Sequence, residues 1–202
     1  MLDISYNEIV KSPYSEDAIK RRDFPGFKED YLVLHCLIKK YQPRRFMEIG
    51  TSTGLGTKVI CKAMGLKRFH RTPGKIVYSL DVPPGTDPKI LYPEGEDGHP
   101  RKAGHKCKFP YTQIFGNSYD FDFKPYYPID AWFIDAKHNY KFVKNDTKLA
   151  LRSKPVFIVW HDMQIEEVAR AVKEVMGKAR GYSLFRVLRT RMAFALKKSF
   201  KT

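Results

Sequence analysis

The stretch Arg44–Gly56, reading RRFMEIGTSTGLG, limits the folds open to this chain more than any other. Phe46, Met47 and Ile49 have the composition of a buried strand end. Gly50, Gly54 and Gly56 interrupt it, and the residues from Leu55 to Met64 have helix composition. A strand that stops at glycines and restarts as a helix is how doubly wound α/β domains build a nucleotide site. The glycines let backbone approach the ligand, and the helix N-terminus offers unpaired N–H groups. The spacing Gly50-x3-Gly54-x-Gly56, with Glu48 two residues ahead, departs from the G-x-G-x-x-G dinucleotide pattern. No Gly-Lys-Ser/Thr follows to make a phosphate loop.

The rest of the chain reads as alternating elements. Residues 1–27 mix charges, tyrosines and prolines without clean periodicity and are expected to form an N-terminal arm. Leu34, Leu37, Ile38 and Tyr41 recur at helical spacing over 28–41, and Pro43 stops that helix. The first strand is expected at 44–49 and the crossover helix at about 54–66. KIVYSLD (75–81) reads as a second strand ending in Asp81, and Tyr111–Phe115 as a third. Between them, 82–110 is rich in proline and glycine, too long for an idle connection, and is expected to act as a lid or substrate loop. Its His99, His105 and Cys107 leave zinc ligation open as a weaker alternative.

IDAWFID (129–135) and VFIVW (156–160) are buried strands ending at Asp135 and at His161-Asp162. Helices are expected at 142–151 and 165–176, and two closing strands at 182–188 and 192–196. The pattern predicts a single 202-residue α/β domain, Rossmann-like and doubly wound. Its sheet is expected to be mainly parallel and seven-stranded, with a C-terminal antiparallel hairpin and helices on both faces.

At these residues the chain resembles the class I S-adenosylmethionine-dependent methyltransferases. Glu48, Gly50 and Gly54 fall on the acidic and glycine positions of that family's first motif. The downstream pattern F-I-D-x-x-H-x-Y, followed by an apolar strand ending in H-D, resembles the metal-assisted sugar and catechol-type O-methyltransferases. The resemblance runs from about Arg44 to Leu196. It implies S-adenosylmethionine (SAM) as cofactor and S-adenosylhomocysteine (SAH) as product. Glu48, Gly50, Thr51, Ser52, Gly54, Asp81, Asn117, Ser118 and Asp135 would bind the cofactor, with Asp81 on the ribose hydroxyls and Asn117 and Ser118 at the adenine. It further implies Asp135, His161 and Asp162 as ligands of a divalent cation such as Mg2+, with His138 as general base and Asp135 beside it in catalysis. A cation lowers the pKa of a bound hydroxyl, and a histidine near neutrality takes its proton. Three features depart from the pattern: His161 replaces a more usual carboxylate, Lys137 precedes His138, and Ser153-Lys154-Pro155 replaces a Gly-Gly pair.

Composition sets the alternatives. No apolar run approaches the roughly 20 residues of a membrane span, so no membrane partner is expected. Three widely spaced cysteines (Cys36, Cys61, Cys107) and an N-terminus unlike a signal peptide lead to an expectation of a cytoplasmic protein with reduced thiols. The formal net charge is +15, and the forty residues from Met163 to Thr202 carry ten Lys/Arg against three Asp/Glu. That balance keeps an RNA methyltransferase open beside the leading expectation, a small-molecule methyl acceptor bearing a hydroxyl. A binding module that keeps the fold without chemistry is a further alternative. The sequence leaves the acceptor and the oligomeric state open.

Overall fold

A computed structural model of the chain describes residues 1–10, 28–68, 72–86 and 103–200. Its core is one sheet in which apolar residues alternate between two buried faces. The eight strands are β1 (Leu2–Ile4), β2 (Arg45–Ile49), β3 (Ile76–Asp81), β4 (Thr112–Phe115), β5 (Ala131–Ile134), β6 (Phe157–Trp160), β7 (Tyr182–Val187) and β8 (Ala193–Lys197). Their spatial order is β1-β7-β8-β6-β5-β2-β3-β4. Every pairing is parallel except those of β8, which inserts antiparallel between β6 and β7. This is the mainly parallel, Rossmann-like sheet with a closing hairpin that the sequence predicts. The eighth strand corrects the expected count of seven: Leu2–Ile4 of the arm pairs with Phe185–Val187 at the sheet edge. Three residues carrying one aspartate show no periodicity, so only the pairing reveals them as a strand.

The helices are α1 (Tyr6–Val10), α2 (Lys28–Tyr41), α3 (Leu55–Ala63), α4 (Tyr140–Arg152) and α5 (Glu166–Lys178). α2 ends where Gln42 turns to φ 47° ahead of Pro43, its N–H still bonded to the Ile38 carbonyl at 2.9 Å. α2 and α3 cover one sheet face through Leu34, Leu37, Ile38, Val59, Ile60 and Ala63, against Phe46, Phe133, Phe157 and Val159. α4 and α5 cover the other through Val143, Ala150, Val168 and Val172, against Met47, Trp132, Ile158 and Trp160. Both indole N–H groups are satisfied, Trp132 by Ser153 Oγ at 2.9 Å and Trp160 by Thr147 Oγ1 at 3.0 Å.

The strand order reverses at β2, since β3 and β4 lie on one side of it and β5 and β6 on the other. In open α/β sheets the crevice beyond the carboxyl ends at such a reversal is where ligands gather. Phe46 sits at the middle of this arrangement and is fully buried. Phe46→Ala is expected to cost about 3–5 kcal/mol of stability, read from the urea midpoint. A loss under about 1 kcal/mol would contradict the packing described.

Candidate active site at the carboxyl ends of the strands

Alternation along β2 turns Phe46 and Glu48 to the α2/α3 face, so a carboxyl group lies at a core position. Glu48 is wholly buried, and its Oε2 accepts from the hydroxyls of Thr57 on α3 and Ser79 on β3, each at 2.5 Å. Ser79 Oγ meets Thr51 Oγ1 at 2.6 Å, and Gln113 Nε2 donates to Thr51 Oγ1 at 2.9 Å. The chain Gln113–Thr51–Ser79–Glu48–Thr57 ties β4, the glycine turn, β3, β2 and α3 together from beneath. Burial pushes the Glu48 carboxyl up to about 8, against the downward pull of the Ser79 and Thr57 hydroxyls.

Above that network the turn takes conformations that side chains resist. Gly50 has φ +98°, and a Cβ there would overlap the Asp135 carbonyl oxygen, so the ends of β2 and β5 touch through backbone. Gly54 has φ +86°, with a Cβ placed 2.7 Å from Gly104 Cα. The end of the 82–110 connection lies on the turn: Gly104 N–H donates to the Ser52 carbonyl and Lys106 N–H to that of Thr53, both at 2.8 Å. Ser52 N–H donates to Asp81 Oδ2 at 2.6 Å, which fixes that carboxylate at the rim of β3.

Gly50, Asp81, Asn117 and Ser118 line one cavity of about 50 Å³, closed by Ala136, Lys137 and Phe142 among others. The Lys137 ammonium sits 4.9 Å from the Phe142 ring centroid. Four of the residues expected to hold the cofactor therefore converge. Thr51 and Glu48 lie in the layer below, and Ser52 and Gly54 lie under the 103–107 segment.

On the other side of the Gly50–Asp135 contact stands a second cluster. His161 Nδ1 lies 3.2 Å from Asp135 Oδ1 and 2.9 Å from Asp162 Oδ2, within ion-pair reach of both. Its Nε2 lies 3.1 Å from Asp30 Oδ2 on α2. His138 Nε2, just before α4, is 3.0 Å from Asp162 Oδ2. Arg191, in the β7–β8 turn, donates to Asp30 Oδ2 from Nε at 2.9 Å and from Nη2 at 2.7 Å. Burial opposes a charged His161, yet the Asp135, Asp162 and Asp30 carboxylates outweigh it and push the imidazole up to about 11. Asp162 lies well below the usual carboxylate range, because the His138 and His161 contacts overcome its burial. Asp162 also has φ 54°, a left-handed conformation that aspartate tolerates better than most residues.

The ligand atoms of Asp135, His161 and Asp162 all lie within 4.8 Å of one another. Two carboxylates and an imidazole nitrogen whose other nitrogen faces a further carboxylate are a donor set that fits a divalent cation once His161 gives up its Nδ1 proton. The predicted acceptor-side residues Asp135, His138, His161 and Asp162 thus stand together. Sequence reasoning missed Asp30 and Arg191. Asp30 is four residues before Leu34, on the apolar stripe of α2, and a buried acid on such a stripe was the available signal. Of the zinc alternative's residues, His99 lies outside the described residues, and Cys107 turns into the core beside Cys61.

No protein-family model matches this sequence, and no curated protein matches it. Solved structures do. The apo structure of CalS11, a TDP-rhamnose 3'-O-methyltransferase of calicheamicin biosynthesis, superposes with TM-score 0.59 at 15% identity over 96% of this chain and 92% of that one. The O-methyltransferase from Bacillus cereus in complex with SAH gives 0.58 at 15%, over 96% and 89%. TomG from Streptomyces achromogenes, an O-methyltransferase of tomaymycin synthesis in complex with SAM, gives 0.55 at 15%, over 94% and 89%. The chain therefore has the fold of these enzymes.

The Glu48 network has a pH signature. Its carboxyl titrates at its ordinary 4.5 in the unfolded chain and at about 8 when folded. Between those values the folded state holds the extra proton, so stability falls as pH rises through that window. Glu48→Gln removes this slope. The wild-type melting temperature should drop by about 10 °C more than that of the variant between about pH 5 and 8. Parallel profiles would contradict a buried, proton-retaining Glu48.

Proposed function

We propose that the chain is a SAM-dependent methyltransferase that methylates a hydroxyl group of a small molecule, such as a sugar or phenol. The observation that carries this reading is the junction at Gly50 and Asp135. There a cavity lined by Asp81, Asn117 and Ser118 abuts a cluster of His138, Asp162 and His161. The first presents carboxylate, amide and hydroxyl groups suited to a nucleoside, and the second can hold and deprotonate an alcohol. The shared fold with O-methyltransferases, two of them in complexes with SAH and SAM, supports the same reading.

In the reaction the acceptor oxygen attacks the methyl carbon in line with the breaking bond to sulfur. The sulfonium leaves as the neutral thioether SAH. An alcohol is a poor nucleophile while protonated, so alignment and proton removal are the enzyme's tasks. With His138 Nε2–H donated to Asp162 Oδ2, the basic lone pair is on Nδ1, and that nitrogen takes the acceptor's proton. Asp162 orients the ring and stabilises the imidazolium as it forms. Asp81 binds the ribose hydroxyls, while Asn117 and Ser118 border the base. Asp135, His161 and Asp162 would hold a divalent cation, which when bound acidifies the acceptor hydroxyl as a Lewis acid. A protein that only binds ligand has no need of a base paired to a carboxylate at this junction. An RNA acceptor rests on net charge alone.

A panel of sugar and phenol acceptors with methyl-labelled SAM tests the proposal. Label should move to a hydroxyl acceptor, and His138→Ala should slow transfer by about 100-fold or more while SAM affinity stays within about 3-fold. Undiminished transfer by the variant, or labelling of RNA in place of any hydroxyl metabolite, would overturn it.

A further inference from the structure

Resting on the reading that Asp135, His161 and Asp162 hold a cation, a second question is which cation and what fixes the nitrogen ligand. His161 is held on every side. Its Nε2 faces Asp30 Oδ2 at 3.1 Å, and Asp30, only 4% exposed, is clamped in turn by Arg191. The Arg191 backbone N–H meets Asp30 Oδ1 at 3.0 Å, and its Nε and Nη2 meet Oδ2 at 2.9 and 2.7 Å. The imidazole plane is set by Tyr31, stacked at 6.4 Å and 13°, and by Phe133, edge-on at 6.4 Å and 76°. With Nε2 turned to Asp30 Oδ2 and to Arg191 Nη2, each at 3.1 Å, Nδ1 faces Asp135 and Asp162, and it becomes a metal ligand once its proton has left.

We propose that Asp30 is the positioning residue that presents His161 Nδ1 as a metal ligand, making this a mixed nitrogen–oxygen site for a borderline transition ion rather than for magnesium. A ligating histidine characteristically gives its other N–H to a carboxylate, which fixes the tautomer and raises the basicity of the ligating nitrogen. Magnesium takes oxygen ligands and keeps its waters, whereas imidazole adds affinity for ions later in the first transition row. Asp30 and Tyr31 come from α2, ahead of the glycine turn, so the N-terminal helix sets the chemistry of a centre built on β5 and β6.

The test is calorimetric titration of the full-length protein with Co(II) and Mg(II), with the visible absorption of bound Co(II) as a second readout of its ligand sphere. Wild type should bind Co(II) about 100-fold or more tightly than Mg(II). Asp30→Asn should weaken Co(II) about 10- to 100-fold, alter the absorption bands, and leave Mg(II) within about 3-fold. Should Asp30→Asn fail to fold, Arg191→Lys loosens the same clamp and should shift Co(II) in the same direction. Equal affinity for both ions, or Co(II) binding and bands unchanged in the folded variant, would overturn the role of Asp30 and leave the cation site standing. Binding of neither ion would overturn the cation site itself, while the cofactor reading is tested separately by SAM binding.

Discussion

One imidazole ties this protein together. His161, at the end of β6, faces carboxylates from three other places: Asp30 on α2, Asp135 at the end of β5, and its own neighbour Asp162. A buried carboxylate without a partner is costly, so each of these elements is held where its charge is met. Arg191 adds a fourth tie. It clamps Asp30, and its carbonyl accepts from Met163 N–H at 2.9 Å, joining the β7–β8 turn to the chain that leaves β6. Helix α2 is therefore docked by polar contacts at its N-terminal end and by Leu34, Leu37 and Ile38 beyond it.

The glycine turn obeys a different constraint. Glu48 and its hydroxyl partners brace the glycine turn from below, and the 103–107 segment bears on it from above. The cavity between the turn, Asp81 and Ser118 holds about 50 Å³, against the roughly 300 Å³ or more that ligand sites occupy. Lys137 and Phe142, which line that cavity, belong to the same short stretch as Asp135 and His138.

Much of this was legible in the sequence because strands that end in polar residues announce a parallel sheet and its active edge together. Asp81, Asp135, His161 and Asp162 stood out as polar residues directly after apolar runs, and the fold brings the last three within contact distance. The glycines at 50 and 54 read as points where backbone approaches a ligand, and the structure sets them against protein backbone, that of Asp135 and Gly104. Long-range contacts were not legible. Nothing local shows that Asp30 and Arg191, 161 residues apart, form an ion pair, or that three arm residues pair with β7. Glu48 reads as a ligand residue from its motif position, yet strand alternation buries it behind the turn, where it braces rather than lines the cavity.

The central claim is that this junction of cavity and base serves a methyl donor. Calorimetric titration of the purified protein with SAM and SAH tests it most directly. The account predicts one site per chain with a dissociation constant on the order of micromolar for either ligand, and loss of that binding in Asp81→Ala. Absence of binding by both ligands up to about millimolar concentration would contradict it.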